Sequence, residues 1–230
     1  MSGIPEQLYH TTLTVVDYHT DTSGSTRTVY VLGTHTTLEA AKAFAKKALS
    51  DLGYEPSDFK EYAVRAASPD SWTHGDGVVA FAKAFAGQEF LVGIDTTPND
   101  QEFAAGPNGT VRLSAYPEDA GVHPDHHLHY VLQTKVDYDQ DRSGAHQSTD
   151  IEGCFEHRAD AIDAAKASLL NTGNEFAQYD ERDNPAFAGE WPFGEDVVIH
   201  AVSQTGENYT VAIRTIPGAH EKHGKKTQRK

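Results

Sequence analysis

The chain is written twice, and this limits what it can fold into more than any other feature. "VDYHTDTSGSTRTVYVLGT", starting at Val16, returns as "VDYDQDRSGAHQSTDIEGC", starting at Val136. "FKEYAVRA" from Phe59 returns as "FAQYDERD" from Phe176. "WTHGDGVVAFAKAFAGQEFLVGIDTTP" from Trp72 returns as "WPFGEDVVIHAVSQTGENYTVAIRTIP" from Trp191. The order is kept and the spacing stays near 120 residues. Each half must therefore hold one copy of the same supersecondary unit.

Two copies allow each element to be read twice. Leu128, Tyr130, Leu132, Val136 and Tyr138 alternate with His129, Gln133 and Lys135, the period of a strand. Ser23-Gly24 and Ser143-Gly144 close hairpins, where glycine supplies the backbone angle a tight turn needs. Gly33 and Gly153 fall at one place in the two return strands and predict a bulge or a close backbone approach. A helix follows. Thr36-x-x-Glu39 has capping-box spacing, and Leu38, Ala41, Ala45, Ala48 and Leu52 form an apolar stripe ending near Gly53. Ala159, Ile162, Ala165 and Leu169 repeat it. A short F-x-x-Y element and a second hairpin complete each half, closed by Pro98 and Pro217. The expected fold class is α+β: two β-β-α-β-β units, each an antiparallel sheet with a helix on one face, associated as a pseudo-two-fold dimer. The expected divisions are a first repeat over 1–98, a linker over 99–124, a second repeat over 125–218 and a basic disordered tail over 219–230.

Charge narrows the function classes. The net charge is −15, so the folded body repels phosphate backbones and nucleic acid is not an expected partner. The tail "HEKHGKKTQRK" is the exception and leaves a nuclear address open. One cysteine, Cys154, allows no intramolecular disulfide. The start "MSGIPEQLYH" has no basic and apolar regions of a signal peptide, and no apolar run approaches a membrane span. These features read as a cytoplasmic protein without a membrane partner.

Residues shared by both halves, such as Trp72/Trp191, Asp17/Asp137 and Tyr18/Tyr138, are expected to serve the fold. Chemistry is sought where the halves differ. Asp139, Asp141, Ser143, Gly144 and Asp150 occupy positions one, three, five, six and twelve of a calcium loop, with oxygen donors where that ion needs them. Against this, the loop joins two strands, and His19 and Tyr30 stand at positions one and twelve of the first copy. A strand–turn–strand whose Asp and Ser side chains satisfy turn amides is the competing reading. "HPDHHLHY" offers His123, His126, His127 and His129 as zinc or copper ligands, or as a solvated linker running into a strand. Cys154 aligns with Thr34 and has no neighbouring base to activate it. His200 aligns with Phe81, and Lys83 with Val202, each a polar residue whose twin is apolar. They are the candidate ligand-binding pair, in a pocket between the halves, or else edge positions.

"VDYDQDRSGAHQSTDIEGCFEHRADAIDAAKASLL" and "EWPFGEDVVIHAVSQTGENYTVAIRT" resemble uncharacterised proteins of filamentous fungi, the second half more closely than the first. The resemblance implies an intracellular fungal setting and carries over no function. The functional expectation is a non-enzymatic binding or assembly protein, its partner a protein or small molecule, with homo-oligomers open. The alternative is a calcium-dependent or small-molecule enzyme specialised in the second repeat, around Asp139, Asp141, Asp150 and His200.

Overall fold

Alternating side chains and paired Ser-Gly turns give two antiparallel sheets. The structure, a computed structural model, describes residues 3–66, 72–113, 127–170, 175–183 and 190–216. It divides into two units, Met1–Gly121 and Val122–Lys230. Pro217, the tail 219–230, His123 and His126 lie outside the described residues.

In the first unit β1 (Gln7–Asp17) and β2 (Arg27–His35) form a hairpin. The helices α1 (Leu38–Ala45) and α2 (Ala48–Asp51) follow, then β3 (Phe59–Val64), β4 (Val78–Ala84) and β5 (Gln88–Pro98). The sheet order is β2-β1-β5-β4-β3. A ribbon of β6 (Ala104–Ala105) and β7 (Val111–Arg112) closes the described part of the unit. The second unit has β8 (His129–Asp137), β9 (Gln147–Phe155), α3 (Arg158–Ser168), β10 (Phe176–Glu181), β11 (Val197–Ser203) and β12 (Glu207–Arg214). Its order, β10-β11-β12-β8-β9, is that of the first sheet read from the opposite edge. All pairings are antiparallel. The chain is thus a mixed α+β protein of two five-stranded sheets with few helices. No helix among the described residues is long and apolar enough to cross a membrane.

The expected β-β-α-β-β order needs one correction. The F-x-x-Y element is a full edge strand in each unit, pairing Phe59 with Ala84 and Val64 with Ala80 in the first. The order is therefore β-β-α-β-β-β. The bulges fall beside the paired glycines. Thr11 faces Gly33 and Thr12 faces Val31, so Leu32 is the extra residue; Glu152 is its equivalent beside Gly153.

The helical stripe is also shorter than its spacing suggested. After Ala45 the hydrogen bond from Lys47 N–H to Phe44 O spans three residues, not four, and the helix restarts at Ala48. Leu49 thereby turns inward, while Leu38 and Leu52 remain 41% and 44% exposed. Ala45, Ala48 and Leu49 pack with Leu13, Phe59, Ala80, Ala82 and Val92. In the second unit Ala161, Ala165 and Leu169 pack with Val131, Ile199, Tyr209 and Val211. Small alanines let helix backbone approach strand side chains closely. The N-cap of α1 is Thr37, whose hydroxyl accepts from Ala40 N–H; the Thr36 hydroxyl donates instead to Gly109 O.

Residues 99–113, expected to begin a linker, fold onto the first unit. Asn99 donates from Nδ2 to Pro5 O and Phe103 O and accepts from Phe103 N–H. Thr36 N–H donates to Gly109 O, and His35 bridges Thr110.

Candidate functional site

The loop that resembled a calcium site is built as a turn in both units. The Asp137 carboxylate accepts from the N–H groups of Asp139 and Gln140; Asp17 does the same for His19 and Thr20. Asp141 Oδ1 accepts from Ser143 N–H at 2.9 Å and its hydroxyl at 2.8 Å. Asp21 accepts from Ser23, Ser25 and Thr26. These donors hold both carboxyls below the usual carboxylate range, the Ser25 hydroxyl acting most on Asp21 and the Ser143 hydroxyl most on Asp141. Gly24 and Gly144 stand at φ +78° and +82°, each beneath the ring of Tyr18 or Tyr138. Asp139 lies against Gly206, and Asp150 is exposed on β9 opposite Gln133. Among the described residues, no three His, Cys, Asp or Glu side chains gather as a metal-binding group. The rings of His127 and His129 meet edge-to-face, their centroids 5.2 Å apart.

His200 belongs to an aromatic cluster that each unit builds with its parts exchanged. In the first unit Trp72 meets His74 edge-on, and His74 stacks on Phe81 at 4.1 Å. In the second, Trp191 meets Phe193 edge-on, and Phe193 stacks on His200 at 3.9 Å. Imidazole and phenyl have traded positions. The acid has moved with the imidazole. His74 Nε2 is 3.5 Å from Glu61, on β3, and His200 Nδ1 is 3.5 Å from Asp180, on β10. The clue was in the sequence, since His74 aligns with Phe193 as His200 does with Phe81. Lys83 also has a local partner. Its ammonium lies 2.7 Å from Glu89, directly opposite on β5.

A buried polar trio distinguishes the first unit. His10 is fully buried, with Nδ1 2.9 Å from Thr34 Oγ1 and Nε2 2.8 Å from Thr97 Oγ1. Burial, and then repulsion from His35, lowers its pKa to about 4. The second unit has Tyr130, Cys154 and Ile216 at these places. Burial pushes the Cys154 thiol up to about 12, which leaves it unreactive.

The feature that reading the sequence missed is a groove of about 660 Å³ between α1 and the strands of the first unit. Leu38, Lys42 and Lys46 form one wall. Tyr9, Val79, Ile94 and Thr96 form the other, and Arg65, Asp76 and Gly77 stand at the end. Its size is that of small-molecule sites. Arg65 is positioned by Asp76, with Nη1 donating to the Asp76 carbonyl and Nη2 3.9 Å from its carboxylate, and by the Trp72 face at 6.0 Å. Lys42 and Lys46 lie one turn apart on α1 and make no ion pair among the described residues. The second unit treats the same places differently. Ile162, in the place of Lys42, packs against the core. Lys166, in the place of Lys46, pairs with Glu181 at 2.5 Å, where the first unit has Val64. Asp196 stands where the first unit has Gly77. The groove thus sets three cations against one carboxylate in a chain of net charge −15.

Compared with known proteins, the chain matches no family model, no curated protein and no solved structure.

Proposed function

We propose that the protein is a non-enzymatic binding protein, formed by duplication of one sheet-and-helix unit, and that it holds an anionic small molecule in the α1 groove of its first unit. The observation that carries this is the excess of positive charge there. Lys42, Lys46 and Arg65 face one carboxylate, and the second unit fills or neutralises the same places with Ile162, Glu181 and Asp196. An excess of cations around a concave surface favours an anion, and apolar walls raise its effect by excluding water. The alternative, a calcium-dependent enzyme on the second unit, has less support. Asp141 is engaged by Ser143, and His200 has its counterpart in the His74 stack.

The test is thermal unfolding in the presence of organic and inorganic anions. A ligand at 100 times its Kd stabilises by about 2.7 kcal/mol, roughly 5–10 °C for a chain of this size. The variant Lys42→Ile with Val64→Glu copies the second unit's pattern and is expected to lose the shift. No rise with any anion, or a rise the variant keeps, would remove the groove as the site.

A further inference from the structure

Resting on the groove's being an anion site, we infer that its ligand is a carboxylate carrying an extended apolar body, with one head and one tail. Leu38, Lys42 and Lys46 follow at four-residue steps on one helix face, so the wall passes from an apolar side chain to two ammonium groups. Leu38 is 41% exposed at the apolar end. Facing it, Val79 and Ile94 come from the sheet with the ring of Tyr9. A hydrated inorganic anion would leave that apolar surface unused. A neutral apolar molecule would strip water from the ammonium groups without replacing their charge partner. A carboxylate at Lys42, Lys46 and the guanidinium fork of Arg65, with its hydrocarbon along Leu38, Val79 and Ile94, satisfies both surfaces. Asp76 limits the head to low charge, because its own carboxylate already stands 3.9 Å from Arg65.

Gly77 gives a variant that acts on the site without disturbing the fold. A Cβ there would meet no atom within 4 Å, and its backbone is not in the left-handed region. Gly77→Asp introduces the charge that Asp196 supplies in the second unit.

The experiment is calorimetric titration of the full chain with decanoate below its micelle concentration, beside acetate, inorganic phosphate and decanol. Decanoate is expected to bind at one site, at least about tenfold more tightly than the other three, and Gly77→Asp to weaken it by a similar factor. Phosphate or acetate binding as tightly as decanoate would keep the anion site and overturn the apolar tail. Decanol binding equally would overturn the carboxylate. Decanoate binding that Gly77→Asp leaves unchanged would place the ligand elsewhere, and no binding by any of the four would end both the inference and the function it rests on.

Discussion

His10 shows how one buried side chain can set the acid response of a unit. Both ring nitrogens are hydrogen-bonded to threonine hydroxyls, and no exposed surface remains to solvate a positive charge. The unfolded chain takes up a proton near pH 6.5, while the folded one refuses it until about pH 4. The unfolded state therefore binds more protons within this window. Stability contributed by neutral His10 is present above pH 6.5 and is lost as pH falls to about 4, by about 3 kcal/mol in all. His35, also lowered by burial, acts in the same direction. The variant His10→Tyr, Thr34→Cys, Thr97→Ile copies the second unit and is expected to flatten this part of the pH profile. Urea unfolding near pH 7 and near pH 4 measures it, and a slope equal to the parent's would show that His10 does not control it.

At the level of elements, the helices are capped unequally. Thr37 caps α1, whereas His157 at the start of α3 makes no side-chain cap bond. Thr37→Ala is expected to cost about 1 kcal/mol, and His157→Asp to add about 0.5–1 kcal/mol, both read by urea unfolding. Gly109 ties the next element to this one. At φ +74°, with its added Cβ 2.6 Å from the Cβ of Ala40, Gly109→Ala is expected to lift the 99–113 ribbon from α1 and cost about 1–3 kcal/mol. Retention of parental amide-exchange protection at Thr36 N–H, the donor to Gly109, would contradict that. The hairpins and helices were legible because strand period, Ser-Gly turns and alanine spacing are local signals. The break after Ala45 was not, because a single three-residue bond shifts the inward face without altering the spacing of small residues. The Thr36 cap was misplaced by one residue because Gly109, far along the chain, takes the Thr36 hydroxyl.

For the whole molecule, the antiparallel sheets were the most readable feature and the groove the least. Lys42 and Lys46 look like any solvated helix face until Arg65 and the strand ends are brought beside them. His200 and Lys83 were singled out because their twins are apolar, yet each has a partner within its own unit: Phe193 and Asp180 for the first, Glu89 for the second. Net charge governs the ion response too. With −15 charges, any divalent cation screens repulsion, so calcium and magnesium are expected to raise Tm alike, and Asp139→Asn to leave both responses unchanged. A rise specific to calcium that Asp139→Asn abolishes would restore the metal loop. The exchanged stacks at Phe81 and His200 also bear on which changes each contact tolerates. Phe81→His or Phe193→His would set two imidazoles face to face, and these repel when protonated. His74→Phe or His200→Phe would leave two phenyl rings and an acid, Glu61 or Asp180, without its base. Either stack therefore survives the loss of its imidazole more easily than the gain of a second.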